Sequence, residues 1–183
     1  RSCDEFDSIG HDKTAVFLLL AGIDRSPLFK GSDYIYSVNV DFNLNMARWA
    51  LGKGIKHFIY ISSAYVYNPK RRKRDVVSVE RSPDGTSHYA RSKLLAEAAL
   101  ANLANLSGTS LTIIRPSPVI PSFLLRLKRM SFSSTSLPTL IFDQKCIGLR
   151  SYCDLHLLVR QIQEAATYAS DGRCQRLRIL NLA

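Results

Sequence analysis

The sequence predicts an α/β fold, because apolar runs of strand length alternate with segments that have helical periodicity. The first run, residues 15–20, ends at Ala21-Gly22 and is typical of a strand buried on both faces of a parallel sheet. Further strands are predicted at 57–62, 111–114 and 177–182. Since strands joined by helices close right-handed onto a parallel sheet, the first three strands should be adjacent and parallel.

Three helices are predicted between and after these strands. Apolar residues recur at helical intervals from Asp33 to Leu51, and a glycine pair then supplies a stop. Ser87 can cap a second helix that runs to about Leu106 and is rich in strong helix formers. A third, amphipathic helix is predicted at 155–169, opened by Asp154.

Length and composition favour one folded domain. The chain has 183 residues, of which 46% are hydrophobic and 22% charged, close to the globular average. The serine-rich segment 131–136 is too short to link independent domains. We therefore expect residues 1–121 to form the core and residues 122–183 to form a smaller lobe, with a returning helix and strand, that faces the substrate.

The net charge of +10 favours anionic partners such as nucleotide diphosphates, nucleic acid or an acidic protein. Five of the cations form one run, residues 70–74, in a polar loop predicted from Asn68 to Thr86. Nucleic-acid binding is less favoured, because neither an aromatic platform nor a reading helix accompanies the run. A run of this kind is usually a solvated loop.

Cysteine spacing and hydropathy bear on the compartment. The four cysteines form no C-x-x-C pair and have no histidine at zinc spacing, so we expect no metal and reduced thiols, in the cytoplasm or an organelle interior. The longest apolar stretch, Ala15 to Ala21, is far below the ~20 residues of a membrane span, and we expect a soluble protein. The sequence begins at Arg1 rather than Met, so a preceding segment is expected.

Tyr89 and Lys93 are spaced so that they share one face of the second helix. A free tyrosine titrates near pH ~10, but a cation within ~4–6 Å favours the phenolate and lowers its pKa. Ser63, at the end of the second strand, can supply a hydroxyl that shares the substrate oxygen. Alone, the tyrosine-lysine spacing is common on solvated helices, so the surrounding motifs decide its meaning.

Five motifs occur in order around this pair. They are Leu20-Ala21-Gly22, Tyr36-Ser37-Val38-Asn39-Val40, Phe58-Ile59-Tyr60-Ile61-Ser62-Ser63-Ala64-Tyr65-Val66-Tyr67, Tyr89 to Lys93, and Arg115-Pro116. On these motifs the chain resembles the extended short-chain dehydrogenase/reductase family, of the NAD-dependent epimerase/dehydratase type, over residues 14–121. A weaker likeness, residues 150–155, matches the segment that starts the family's late helix.

The resemblance implies a partial Rossmann-like, doubly wound parallel sheet with a small C-terminal substrate lobe. It implies an NAD(P)-dependent oxidoreductase or epimerase that acts on a hydroxyl or keto carbon of a nucleotide sugar or a related small molecule. Tyr89 would be the acid/base, Lys93 would lower its pKa and bind the nicotinamide ribose, and Ser63 would polarise the substrate oxygen. Asn39 would support this set, or would equally be a helix residue bonded to neighbouring backbone.

The same resemblance assigns the binding of NAD or NADP. Ala21 and Gly22 would line the cofactor cleft, and Pro116 with Ser117 would pass near the nicotinamide. Ser62 and Lys93 are assigned to cofactor binding with them. Residues 64–66 lack the two carboxylates expected of dehydratases, which favours epimerase, ketoreductase or hydroxysteroid-dehydrogenase-like chemistry.

The sequence departs from the family in one respect that matters for function. It has no G-x-x-G-x-x-G turn to hold a pyrophosphate, so these 183 residues alone should bind NAD(P)H poorly and be inactive. The alternative is a non-catalytic structural or assembly subunit, with the run 70–74 docking an acidic protein partner. A homodimer is the other assembly considered.

Overall fold

The computed structural model describes residues 16–23, 31–67, 82–120, 153–170 and 175–182. The basic run 70–74 and the serine-rich segment 131–136 lie outside the described residues. The elements, in chain order, are β1 (Val16–Leu19), α1 (Ser32–Tyr36), a π-helical segment (Ser37–Phe42), α2 (Asn43–Gly52), β2 (His57–Ile61), a 3-10 turn (Ala64–Val66), α3 (His88–Ser107), β3 (Ser110–Pro116), β4 (Val119–Ile120), β5 (Cys153–Asp154), α4 (Leu155–Ser170) and β6 (Leu177–Leu182).

The main sheet has four parallel strands in the order β1-β2-β3-β6. The predicted α/β class and the predicted parallel pairing of the first three strands are confirmed. Strand β3 is longer than predicted: it continues through Arg115 and Pro116, which pair with Asn181 and Leu182 of β6. Proline is tolerated there because it is the last residue of the strand. Beside this sheet, β4 and β5 form a parallel two-stranded ladder.

Helices cover both faces of the sheet, because alternate strand residues point to opposite sides and both sets are apolar. On one face, Phe58, Tyr60, Leu111 and Ile113 pack against the alanines and Leu100 of α2 and α3. On the other face, apolar strand residues Ile59, Ile61 and Ile114 pack against Leu158 and Ala165 of α4. The sheet is therefore doubly wound, as expected.

The ends of α3 follow from local chemistry. The Ser87 hydroxyl accepts a hydrogen bond from the backbone N–H of Ala90 at 3.1 Å, so the predicted cap is confirmed. At the other end, Gly108 adopts a left-handed conformation with φ 69°, which stops the helix at low steric cost. Because the Ser87 cap sets the start of α3, it also places Tyr89 in the first turn of the helix.

The helix predicted between Asp33 and Leu51 is continuous but not uniform. Its middle, Ser37–Phe42, is π-helical and joins α1 to α2 without a break in right-handed backbone angles. Single π-helical turns inside α-helices are frequent at functional sites. The segment contains the fully buried Asn39, and Asn43, also fully buried, follows it directly.

The last part of the chain returns to the main sheet. Strand β6 pairs with β3, and the backbone N–H of Ser117 donates to the carbonyl oxygen of Leu182 at 2.7 Å. The division into residues 1–121 and 122–183 stays a prediction. In the described part of the chain, no helix combines the length and apolar character needed to cross a membrane.

Candidate active site

The residues assigned from the sequence lie at one edge of the main sheet. Ala21-Gly22 follows β1, Ser62-Ser63 follows β2, and Pro116-Ser117 ends β3. Because these strands are parallel and adjacent, their carboxyl ends meet at the same edge. In α/β sheets this edge is the usual place for a ligand.

Ser63 is buried at the start of the 3-10 turn. Its hydroxyl accepts a hydrogen bond from the backbone N–H of Tyr65 at 3.2 Å, which caps the turn. An accepting hydroxyl keeps its own proton available to donate. Ser63 can therefore donate to an oxygen placed above the strand end.

Tyr89 is the second residue of α3 and is half-buried. Its ring meets the ring of Tyr65 edge to face, with the centroids 6.3 Å apart. Since the Tyr65 amide is also bonded to the Ser63 hydroxyl, Tyr65 joins the turn that carries Ser63 to the first turn of α3. The structure thus brings Ser63 and Tyr89 to the same edge of the sheet.

Lys93 lies one turn further along α3 and is 3% exposed. Its Nζ donates to the carbonyl oxygen of Ile61 at 3.0 Å and lies 4.9 Å from the centroid of the Tyr60 ring. Burial lowers the pKa of Lys93 to about 8, and the charge of Glu97 partly opposes this change. At neutral pH the ammonium form therefore still predominates.

Gly22 provides the space that the Lys93 side chain occupies. A Cβ placed on Gly22 would lie 2.7 Å from Lys93 Nζ and 3.3 Å from Lys93 Cε. Only a residue without a side chain allows the backbone after β1 to approach the ammonium this closely. Lys93 therefore contacts the ends of both β1 and β2.

Asn39 is held by the segment that follows β1. Its Oδ1 accepts from the Ile23 N–H at 2.7 Å, while its Nδ2 donates to the Ile23 carbonyl at 2.9 Å and to Ser92 Oγ at 2.8 Å. Ser92 in turn donates to the Tyr89 carbonyl at 2.8 Å. Asn39 thus ties the Gly22 segment to the first turn of α3, and a catalytic role for it stays a prediction.

Sequence reasoning missed a second asparagine and the buried hydroxyl of Tyr60. The Nδ2 of Asn43 donates to the carbonyl of Ala21 at 3.0 Å and so fixes the end of β1 against α2. Among the described residues, Asn43 Oδ1, Tyr60 Oη and Ser62 Oγ are buried without a hydrogen-bond partner. The sequence signal was a polar residue at a core position: Tyr60 lies within a strand whose neighbours are apolar.

Sequence reasoning also missed a buried ion pair behind Lys93. Arg115 of β3 donates to both carboxylate oxygens of Glu97 on α3, with Nε 3.0 Å from Oε1, and the two side chains are 5% and 7% exposed. Arg115 also donates to the Tyr67 hydroxyl, whose ring it stacks on. Asn181 of β6 contacts the same hydroxyl at 3.4 Å.

The residues at this edge suit a hydroxyl-bearing organic group better than a metal ion. Lys93 is a buried cation, Ser63 offers a donor, and Ser62 Oγ is a buried polar atom without a partner in the described part. Gly22 lets the backbone after β1 lie close to the Lys93 ammonium, and the edge offers hydrogen bonds together with apolar contact. In the described ranges no cluster of three histidine, cysteine or acidic residues could hold a metal.

A parallel sheet with helices on both faces and polar side chains at its carboxyl edge defines a Rossmann-like α/β protein. Residues 5–143 match the NAD dependent epimerase/dehydratase family, and this chain belongs to that family.

Two curated relatives share part of the chain. An uncharacterized protein, y4nG, of Sinorhizobium fredii is 30% identical over 116 residues, which are 60% of this chain and 29% of the relative. The N-acetyl-alpha-D-glucosaminyl-diphospho-ditrans,octacis-undecaprenol 4-epimerase of Escherichia coli O157:H7 is 36% identical over 105 residues, which are 56% of this chain and 30% of the relative. The match thus spans less than a third of either curated relative.

Solved structures of low identity share the fold. RMD from Pseudomonas aeruginosa, complexed with NADPH, is 17% identical with a TM-score of 0.67, and the match covers 96% of this chain and 66% of that one. MoeE5, in complex with UDP-glucuronic acid and NAD, is 19% identical with a TM-score of 0.68 and coverages of 92% and 56%. A UDP-galactose 4-epimerase is 20% identical with a TM-score of 0.60 and coverages of 91% and 55%.

Proposed function

We propose that this chain carries the catalytic groups of an NAD(P)-dependent epimerase, or a closely related oxidoreductase, that acts on a nucleotide sugar. One observation carries the proposal: Lys93 of α3 is held at the carbonyl end of β2 by Ile61, directly before Ser62 and Ser63. Tyr89 lies one turn earlier on the same helix. A phenol, an ammonium and a hydroxyl donor thereby share one sheet edge.

The substrate class is proposed from the relatives and from the charge. The curated Escherichia coli relative is a 4-epimerase of a diphosphate-linked sugar, and MoeE5 was solved with UDP-glucuronic acid. A diphosphate sugar is an anion, which suits a chain with a net charge of +10. Residues 64–66 offer no carboxylates, so we place the reaction with epimerases rather than dehydratases.

Each residue has a role in this chemistry. Tyr89 takes the proton from a sugar hydroxyl and later returns one to the same oxygen. Ser63 donates a hydrogen bond to that oxygen, and the Lys93 ammonium lowers the pKa of the Tyr89 phenol. The nicotinamide cofactor, NAD or NADP, would take a hydride from the sugar carbon and give it back.

The cofactor would be held along the same edge. Lys93 would bind its ribose hydroxyls, since Ile61 accepts only one of the three protons on Nζ. Ala21 and Gly22 would line the cofactor cleft at the end of β1. Ser62 would donate or accept from its buried hydroxyl, and Pro116 with Ser117 would flank the nicotinamide.

The test is the change Tyr89→Phe in the full-length protein, assayed with NAD and UDP-glucose. We expect kcat to fall by about 10²- to 10⁴-fold, because general acid/base catalysis contributes about that factor. Binding of UDP-glucose, measured by calorimetry, should change little. The matched control is Tyr168→Phe, which removes a phenol from α4 on the opposite face of the sheet and should leave kcat unchanged.

Two results would contradict the proposal. Equal kcat in wild type and Tyr89→Phe would remove Tyr89 from the acid/base role. A full-length wild type that binds neither NAD(P)H nor any UDP-sugar, yet retains an acidic protein partner in pull-down, would favour the assembly subunit.

A further inference from the structure

Glu97 occupies a position at which an apolar residue would be expected. It follows Ala96 on the buried side of α3 and is 6% exposed. Both of its oxygens accept from Arg115, so a two-point ion pair holds the Glu97 side chain in place. A fixed negative charge therefore lies inside the protein, one helical turn after Lys93.

Lys93 has neutral partners for every contact that the structure gives it. The carbonyl of Ile61 accepts from Nζ, the ring of Tyr60 lies beneath it, and Gly22 is beside it. Tyr60 on β2 and Tyr89 on α3 are the neighbouring titratable phenols, and burial together with the charges of Glu97 and Tyr89 raises the pKa of Tyr60. The nearby negative charge that acts on Lys93 in the described part of the chain is Glu97.

We infer that Glu97, fixed by Arg115, is a positioning residue that keeps the buried Lys93 side chain positively charged. Burial favours a neutral lysine, and a carboxylate four residues away on the same helix face offsets that tendency. The importance of this charge for turnover rests on the proposed function, because only a charged Lys93 can lower the pKa of Tyr89. The charge state itself does not depend on that function.

Arg115 fixes this countercharge without occupying the Lys93 site. It belongs to β3, whereas the Lys93 ammonium is bonded at the end of β2. Its guanidinium lies over the Tyr67 ring and donates to the Tyr67 hydroxyl, which fixes it at the end of β3. Glu97 is thus bonded to Arg115, and Lys93, one helical turn earlier on α3, is a second cation on which its charge acts.

The experiment replaces both members of the pair at once. The double variant Glu97→Gln with Arg115→Met removes two buried charges together, and such a replacement is often close to neutral for stability. The single variant Glu97→Gln would leave Arg115 buried without a counterion, so the double variant keeps the test informative if the single one fails to fold. The matched control is Glu164→Gln with Arg160→Met, which removes the exposed pair on α4.

The measurement is an NMR titration of the Lys93 side chain in full-length protein labelled with ¹³Cε-lysine, with Lys93→Arg used to assign the signal. In the double variant at 97 and 115 we expect the Lys93 pKa to fall below its wild-type value, because the charge of Glu97 is what raises it. We expect the control to leave it unchanged. In an active enzyme, the basic limb of the kcat/KM profile should move to lower pH by the same amount.

The outcomes separate this inference from the proposed function. A Lys93 pKa that is the same in wild type and double variant would overturn the inference, even if stability fell, because a purely structural pair predicts that result. A shifted Lys93 pKa in a protein that shows no turnover would support the role of Glu97 and contradict the proposed enzymatic function. A shifted pKa together with a shifted basic limb would support both.

Discussion

The two faces of the sheet are built on different principles. The face covered by α2 and α3 holds buried polar groups at its carboxyl half, among them Tyr60, Lys93 and the Glu97–Arg115 pair. The face covered by α4 is filled by Ile59, Ile114 and other apolar residues. On that side the buried polar contact between His57 and Thr112 lies at the opposite end of the strands.

The two faces differ in how their buried side chains affect stability. The α4 face buries apolar area, which stabilises the fold by about 25 cal/mol per Å² and asks for no particular side chain. The α3 face buries groups that are costly unless each one finds a partner. These costly buried groups are concentrated in the carboxyl half of the α3 face, which is where we propose the active site.

The largest expected effect contrasts the ion pairs of the two faces. Glu97→Ala leaves Arg115 buried without a counterion and should lower the free energy of unfolding by about 3–5 kcal/mol. Glu164→Ala breaks the Arg160–Glu164 pair, whose side chains are 68% and 56% exposed, and should cost less than about 1 kcal/mol. Urea denaturation of both variants measures the difference. Losses of equal size would contradict the contrast between the faces.

The second prediction uses pH to tell the faces apart. On the α3 face, the Lys93 pKa is about 8 in the folded state and 10.5 in the reference state, so the unfolded chain binds more protons between these values. The free energy of unfolding should therefore rise with pH across that window, by about 3 kcal/mol at most. On the α4 face, burial lowers the pKa of His57 from 6.5. The stability associated with neutral His57 is therefore fully present above pH 6.5, and the free energy of unfolding falls as the pH drops below that value.

Denaturation at a series of pH values measures both contributions as differences from the wild type. Lys93→Met should remove the rise above pH 8, and His57→Gln should remove the loss in acid. If the free energy of unfolding of Lys93→Met changed above pH 8 as it does in the wild type, Lys93 would be solvated. The description of the α3 face as one that buries a cation would then be wrong.

The smallest expected effect concerns two glycines on the α3 side. In Gly85→Ala the new Cβ would lie 2.7 Å from both the Tyr65 carbonyl oxygen and the Ala90 Cβ, which should cost about 1–3 kcal/mol of stability. In Gly22→Ala the close contacts of the new Cβ would be with the flexible tip of the Lys93 side chain, so stability should change less while kcat falls by about tenfold. Thermal denaturation and steady-state kinetics measure the two effects, and the reverse ranking would show that Lys93 is not held where described.

Much of the fold could be predicted because its signals are local. The apolar runs at β1 and β2, the cap at Ser87 and the periodicity of α4 are each visible within a few neighbouring residues. Parallel pairing followed from the alternation of strands and helices. The order of Ser63, Tyr89 and Lys93 among these elements was enough to place them at one sheet edge.

The buried polar groups could not be predicted in the same way, because their partners are distant in sequence. Glu97 and Arg115 are 18 residues apart, Arg115 and Tyr67 are 48 apart, and Tyr67 and Asn181 are 114 apart. In the sequence Glu97 is simply a good helix former, and Arg115 marks a strand end. Only the packing of α3 on β3 shows that the two charges are buried together.

The π-helical segment Ser37–Phe42 takes up one extra residue within a continuous helix, because its hydrogen bonds span one residue more than those of an α-helix. Removing one residue from this segment should therefore restore α-helical bonding and leave α1 and α2 in nearly the same rotation about the helix axis. Tyr36 would then keep its edge contact with the His88 ring at the start of α3, and Asn43 could still bind the carbonyl of Ala21. A residue removed from α2 instead would turn α1 by about 100° relative to the rest of α2, so the two kinds of deletion should have different effects.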